Sequence, residues 1–204
     1  MMARKDTNKD PGRRSKIFGA LTGRSGALVS PGRGAPDVRG LLIAAYGFTK
    51  RGGLNTADAA KDLGVTQRTV QRWVATEGHQ RIGKPKADTL QKLAKKSRQV
   101  ATTQRGRKAA LASFRATSKG KALANRGGHL RVRGHQGPSA AGKTYKRDRQ
   151  IQLELTPADV EAMWSAFEQN GDEGVSKWMT NHADEQYVAG WEFERIDEIG
   201  IDRP

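Results

Sequence analysis

Residues 137–144, GPSAAGKT, place two glycines, a lysine and a threonine at the spacing of a phosphate-binding P-loop: Gly137, Gly142, Lys143 and Thr144. In a nucleotide hydrolase this loop joins a buried strand to a helix whose N-terminal N–H groups bind the phosphates. Here the flanks are GGHLRVRGHQ, which is polar, and YKRDRQIQLEL, which becomes a strand. We therefore interpret the match as a loop in a chain rich in Gly, Lys and Arg, and we expect a protein that is not an enzyme.

Other residue types offer little catalytic or metal chemistry. The chain contains no Cys, so it has neither a thiolate nucleophile nor a thiolate metal ligand. Its four His residues stand far apart without the spacing of zinc ligands: His79, His129, His135 and His182. The carboxylates of residues 150–204 could bind a divalent ion, but we interpret them as a solvated surface that faces a partner. We expect no cofactor and no metal.

The charge of the chain is divided along the sequence. Residues 1–149 contain 34 Lys and Arg against 8 Asp and Glu, a net charge of +26, whereas residues 150–204 contain 3 against 13, a net charge of −10. A basic segment of this density is typical of proteins that bind a polyanion, most simply nucleic acid. A solubilising surface and a ribosome-like RNA coat are the alternatives.

The segment LNTADAAKDLGVTQRTVQRWV carries the pattern of a helix-turn-helix. Thr56 begins a first helix, Gly64 supplies the positive backbone angle of a tight turn, and Thr66 can cap a second helix. We expect the outer face of that helix to contact base edges through Gln67, Arg68, Gln71 and Arg72, with Thr66, Lys95 and Lys96 on phosphates. An ordinary helical hairpin with a hydrated face is the alternative.

The distribution of large aliphatic residues and Phe predicts the domains. Residues 1–36 contain five of them and residues 96–149 contain six, whereas residues 37–95 contain 13 and residues 150–204 contain 11. We therefore predict a disordered basic arm over 1–36, a helix-turn-helix domain over 37–96, a basic helix or linker over 97–149 and an acidic β-α-α-β domain over 150–204. The expected fold class is mainly α with a small α+β C-terminal unit.

Strand and helix patterns define the C-terminal unit. QIQLEL alternates as a strand does, and TPAD is a helix start with a cap, a proline and an acid. NGDEG interrupts that helix, a second helix follows, and GWEFERIDEIGI alternates again.

The order of these parts resembles the telomere-terminal proteins of linear actinobacterial replicons. The similarity is closest over LGVTQRTVQRWV, continues through KPKADTLQKLAKKSRQV, and resumes in RDRQIQLELTPADVEAMW and YVAGWEFERIDEIGI. This resemblance implies a protein that becomes covalently joined to 5′ DNA ends and primes synthesis there, with a side-chain hydroxyl accepting the first nucleotide. It also implies a DNA polymerase and a telomere-binding protein as partners, for which the acidic unit is a plausible docking surface.

In the family that this chain resembles, the hydroxyl that accepts the nucleotide belongs to a Thr between the basic helix and the C-terminal strand. This sequence has no Thr in the comparable place. The candidate hydroxyls are those of Thr117, Ser118, Ser139 and Thr144, because each would lie beside positive charge in exposed backbone.

A transcriptional regulator that dimerises through the C-terminal unit and a plasmid replication or partition factor are the rival functions. With no run of about 18 apolar residues and no apolar signal segment, we expect a cytoplasmic, nucleoid-associated protein without membrane contact.

Overall fold

The computed structural model describes residues 11–24, 37–49, 51–75, 83–140 and 142–203. The helices of this part of the chain are α1 (Pro11–Thr22), α2 (Val38–Tyr46), α3 (Thr56–Leu63), α4 (Gln67–Trp73), α5 (Ala87–Thr102), α6 (Gln104–Arg115), α7 (Ser118–Arg126) and α8 (Pro157–Gln186). The strands are β1 (Gly128–Ala140), β2 (Lys143–Thr144), β3 (Arg147–Leu155) and β4 (Trp191–Asp202). The chain is therefore mainly helical with a small antiparallel sheet near its C-terminal end, as the sequence predicted.

Helices α2 to α5 pack around a core of their own. Each of the first three is capped by a side chain, because Asp37, Asn55 and Thr66 accept a backbone N–H from the first turn that follows them. The buried residues of this core are Leu41, Leu42, Ala45, Ala59, Ala60, Leu63, Val70 and Leu93. The predicted helix starts at Thr56 and after Thr66 are confirmed.

The sheet is organised around β1, which lies between β3 and β4 and pairs antiparallel with both. Leu130 on β1 faces Leu153 on one side and Ile201 on the other, and Val132 faces Ile151 and Ile199. Side chains of β3 are alternately buried and exposed from Ile151 onwards, so one face of the sheet meets the core and the other meets solvent.

Helix α8 connects β3 to β4. It starts with a capping box in which Thr156 and Asp159 bond each other's backbone N–H groups. Gly171 interrupts the helix with φ of 65°, so two helical halves follow one another across a kink. The predicted strand, helix, break, helix and strand of the C-terminal unit are confirmed, but the acidic segment does not form the sheet alone, since β1 is its central strand.

The expected disordered arm over 1–36 needs correction for residues 11–24. A second core is formed between α1, α6, α8 and the sheet. Helix α1 lies in this second core, where Ile17, Phe18 and Leu21 are each at most 1% exposed. Phe18 packs against Phe167 of α8 with ring centroids 6.3 Å apart. The first ten residues and residues 25–36 lie outside the described part of the chain.

The expectation of a basic helix or linker over 97–149 is corrected in part: the segment contains the basic helices α6 and α7, but it also contains β1 and contributes to the second core. Its large aliphatic residues and its Phe are all buried: Val100, Leu111, Phe114, Leu123, Leu130 and Val132. Helix α5 reaches both cores, with Leu93 in the first and Val100 in the second. The described parts of the two units are therefore joined by a continuous helix.

Polar contacts fix α1 and α6 to the kink of α8. Arg14 Nε donates to Asp172 Oδ1 at 2.9 Å, and Arg13 Nη2 reaches the other oxygen at 3.5 Å. Arg107 is 7% exposed and donates to the main-chain oxygens of Phe167, Glu168 and Gln169 over 2.8–3.0 Å. These carbonyls end the first half of α8, so the guanidinium satisfies groups that the kink deprives of helical partners.

Within the described residues, no helix is both long and apolar enough to span a membrane.

Candidate nucleic-acid interface

The short helix α4 is held at a fixed angle to α3 by the turn between them. Gly64 has φ of 68° and ψ of 35°, the left-handed conformation, and its N–H bonds the carbonyl of Ala60. Val65, half-buried against the first core, donates its N–H to the same carbonyl. The side chain of Val70, a residue of α4, is fully buried, so the opposite side of that helix faces solvent.

Four residues expected to contact base edges are exposed on α4, and three of them are free of side-chain partners within the described residues. These three are Arg68, Gln71 and Arg72. Gln67 differs, because its Nε2 donates to Thr56 Oγ1 at 3.0 Å and thereby braces α4 against the start of α3. The structure therefore assigns Gln67 a bracing contact in addition to its exposed position.

The residues expected on phosphates have unequal surroundings. Thr66 Oγ1 accepts the N–H of Thr69 at 3.2 Å, so this hydroxyl caps α4. Lys95 is exposed on α5. Lys96 Nζ lies 3.3 Å from Asp62 Oδ2 and is half-buried, so its charge is partly compensated within the protein.

A small polar network lies where α2, α3 and α5 meet. Tyr46 donates its hydroxyl hydrogen to Asp62 Oδ2 at 2.7 Å. This bond and the neighbouring Lys96 ammonium lower the pKa of the Asp62 carboxyl, despite some opposing desolvation. Burial, reinforced by the same carboxylate, raises the pKa of the Tyr46 hydroxyl. Lys96 is therefore as much a structural contact between α3 and α5 as a candidate phosphate ligand.

The P-loop-like residues form a β-hairpin. Gly137 and Ser139 belong to β1, Gly142 has φ of 76° at the turn, and Lys143 and Thr144 form β2. Ser139 pairs with Thr144 across the hairpin, and β3 follows within a few residues. A helix does not follow Thr144, so the backbone arrangement of a P-loop is not formed. The preceding segment, expected to be polar and not a central strand, is corrected, because it forms the central antiparallel strand β1, whereas the expected strand after the match is β3.

Two candidate attachment hydroxyls lie at the start of α7. Thr117 caps this helix: its Oγ1 accepts the N–H of Gly120 at 3.1 Å and donates to the carbonyl of Phe114 at 2.7 Å. Its hydroxyl hydrogen is therefore engaged. Ser118 is the first residue of the helix and is exposed.

The other two candidate hydroxyls lie in the hairpin. Ser139 is half-buried, and its N–H bonds the carbonyl of Gly190 at 2.8 Å. Thr144 is exposed, without a side-chain hydrogen bond to any described residue, and its neighbour Tyr145 is 55% exposed. Of the four hydroxyls, those of Ser118 and Thr144 are the most accessible.

The outer face of the sheet pairs basic residues of β1 with acidic residues of β3 and β4. Arg131 bonds Asp202, Arg133 lies 3.6 Å from Glu198, and His129 lies 2.8 Å from Glu154. Lys146, just before β3, reaches Glu192 at 2.6 Å and Glu194 at 3.5 Å. Much of the acidic charge expected to face a partner is thus paired within the chain.

Among the described residues, no group of three or more His, Asp or Glu side chains is arranged to hold a metal ion. His135 instead lies 3.2 Å from Asp148, and His182 stacks on Trp178 with ring centroids 4.7 Å apart. His79 lies outside the described part of the chain.

Comparison of the chain with models of protein families, with curated proteins and with solved structures finds no match.

A cleft beside the α3–α4 pair contains residues that no sequence motif singles out. It is lined by Arg24, Phe48, Lys96, Thr103, Arg105 and Ser113, among others. Arg24 follows α1, in a segment expected to be disordered, and Arg105 lies in the first turn of α6, in a segment expected to be a basic helix or linker. These residues are brought together by tertiary packing, so no local sequence pattern could have identified them.

Proposed function

We propose that this chain is a DNA-binding protein whose α3–α4 pair enters the major groove. The observation that carries the proposal is the exposed row of Arg68, Gln71 and Arg72 on α4, which have no side-chain partner among the described residues. Arginine bonds guanine with two donors, and glutamine bonds adenine with a donor and an acceptor. A buried Val70 on the opposite side and a capped helix start fix the direction of this row.

The phosphate contacts come from basic residues of neighbouring helices. Lys92 and Lys95 are exposed on α5, one turn apart. They add sequence-independent affinity through counterion release, while α4 supplies base contacts. Lys96 contributes less, because Asp62 already compensates part of its charge.

The biological role that we propose is that of a terminal protein, which caps and primes the 5′ ends of linear replicons. Support comes from the order of helix-turn-helix, basic helices and β-α-β unit that the chain shares with that family's pattern. In this reaction a side-chain oxygen attacks the α-phosphorus of a deoxynucleoside triphosphate. One O–P bond forms, pyrophosphate leaves, and the hydroxyl proton passes to the polymerase site or water.

Thr144 is the residue that we propose for the attachment. It is exposed in β2, just after the turn of the β1–β2 hairpin and between Lys143 and Tyr145, and its hydroxyl has no intramolecular acceptor among the described residues. Ser118 is the second candidate. Thr117 is less suited, since its hydroxyl caps α7.

Mass spectrometry of the protein purified from its host and digested with nuclease tests this role. We expect a nucleotide adduct on the peptide that contains Thr144, lost in Thr144→Ala and retained in Thr144→Ser. Ser139→Ala is the matched control on the facing strand and should keep the adduct. An adduct on the Ser118 peptide would move the attachment site. Unmodified peptides from a host with linear DNA, together with tight binding to an internal palindrome, would instead indicate a transcriptional regulator.

A further inference from the structure

The cleft beside the α3–α4 pair has the volume of a small-molecule site. It measures about 630 Å³ and lies between the end of α2, the start of α3 and the junction of α5 with α6. Ligand-binding clefts typically measure about 300–1,000 Å³. The size therefore suits a ligand as large as a mononucleotide.

A buried cation lines this cleft. Arg24 is 9% exposed, and its guanidinium donates to the carbonyl of Ala45 at 3.3 Å and to Ser113 Oγ at 3.5 Å. No carboxylate of the described residues contacts it, and residues 25–36, which follow it, contain no Asp or Glu. Burial lowers the pKa of Arg24. A buried charge normally has a partner of opposite sign, so this guanidinium is arranged for an anion that none of the described residues supplies.

The backbone around Arg24 leaves room for this side chain. Gly47 has φ of 65°, and a Cβ at that position would lie 2.7 Å from Arg24 Nε. The bond to Ala45 also caps the end of α2, and together with the bond to Ser113 it uses two of the five guanidinium N–H groups. Most of the donors therefore stay available for a ligand in the cleft.

A second positive feature enters the cleft from α6. Thr103 caps this helix, and Arg105 and Gly106 of its first turn line the cleft. That first turn contains no acidic residue, so its partial positive charge is not compensated locally. One carboxylate does line the cleft, that of Asp58, and it accepts a hydrogen bond from Asn55 at 2.6 Å.

An aromatic ring completes the lining. Phe48 is 44% exposed, and it borders the same cavity as Arg24 and Arg105. Nucleobases stack on exposed aromatic rings irrespective of their sequence. The combination of cations, a helix start without an acidic residue and an exposed ring is the chemistry that recognises a nucleotide.

We propose that this cleft binds a nucleotide, with its phosphate on Arg24, Arg105 and the first turn of α6 and its base on Phe48. The ligand is a free nucleotide or the 5′-phosphorylated terminal nucleotide of a DNA strand, which share this chemistry. The cleft is separate from the exposed row on α4, so its occupancy goes beyond the proposed groove contact and does not depend on it.

Isothermal titration calorimetry of the full chain tests the proposal with dAMP, dATP, deoxyadenosine and inorganic phosphate. We expect the nucleotides to bind at least about tenfold more tightly than the nucleoside, because the charged hydrogen bonds need the phosphate. Arg105→Ala and Phe48→Ala should each weaken binding about tenfold or more, and both residues are exposed enough for the variants to fold. Lys108→Ala, which removes an exposed charge one turn along α6 and outside the cleft lining, should bind as the wild type does.

Two further arms identify the source of the nucleotide and separate this proposal from the groove contact. A 5′-phosphorylated single strand that binds more tightly than its 5′-hydroxyl counterpart, and competes with dAMP, would identify a DNA end. Equal binding of the two strands, with dAMP still bound, would identify a free nucleotide. Arg68→Ala should leave dAMP affinity unchanged. No heat at millimolar nucleotide, equal affinity for the nucleoside, or equal weakening by Lys108→Ala would overturn the proposal.

Discussion

At the residue scale, features that act over a few positions were predictable. Gly64 and Thr66 perform the turn and capping roles that their types and spacing indicated, since each bonds the backbone within four residues. Partners from other elements were not predictable. The bond from Gln67 to Thr56 and the ion pair of Lys96 with Asp62 depend on how α3, α4 and α5 pack.

Replacing Gly64 by Ala tests the turn between α3 and α4. A Cβ at this position would meet nothing within 4 Å, so the cost is that of a left-handed backbone for an L-residue, about 1–2 kcal/mol. Gly53→Ala is the matched control, because its φ is not positive and its Cβ would make an ordinary contact with Thr49. Urea unfolding should show a loss of stability for the first variant and little change for the second. Equal stability of both variants would contradict the assigned turn.

At the element scale, strands and helices of strong periodicity were predicted correctly and sparse ones were not. Helix α1 has three large apolar residues on one face, Ile17, Phe18 and Leu21, and a count over 36 residues conceals them. Strand β1 was interpreted as polar because Arg and His occupy its exposed face, whereas Leu130 and Val132 occupy its buried face. An element can be buried with few apolar residues of its own when several elements share one core.

Phe18→Ala distinguishes a core helix from a mobile arm. Phe18 is 1% exposed and contacts Phe167, so its truncation should lower the free energy of unfolding by about 3–5 kcal/mol. Phe48→Ala is the control, since Phe48 is 44% exposed and its loss should cost about 1 kcal/mol or less. Chemical denaturation of the two variants measures the difference. A Phe18 variant as stable as the wild type would show that α1 does not belong to the core.

At the scale of the whole molecule, the separation of charge along the sequence is not preserved in space. The basic strand β1 lies between β3 and β4, and α1 and α6 reach acidic residues of α8 through Arg14–Asp172 and Arg115–Glu161. Most of these pairs are exposed and contribute little stability individually. Because acidic residues are used in these pairs, the remaining positive surface is concentrated on α4 to α7, where few acidic residues are present to compensate it.

The central claim is that this surface holds DNA through α4. Fluorescence anisotropy of a labelled duplex, titrated with the full chain at low ionic strength, tests it directly. Arg68→Ala and Arg72→Ala should each weaken binding by about 1–3 kcal/mol, and each should flatten the dependence of affinity on salt if it also loses a phosphate contact. Arg133→Ala removes the same charge from the outer face of the sheet and should bind as the wild type does. Wild-type affinity in both α4 variants would contradict the groove assignment, and a wild-type chain that ignores both duplex and single-stranded DNA would contradict the whole account.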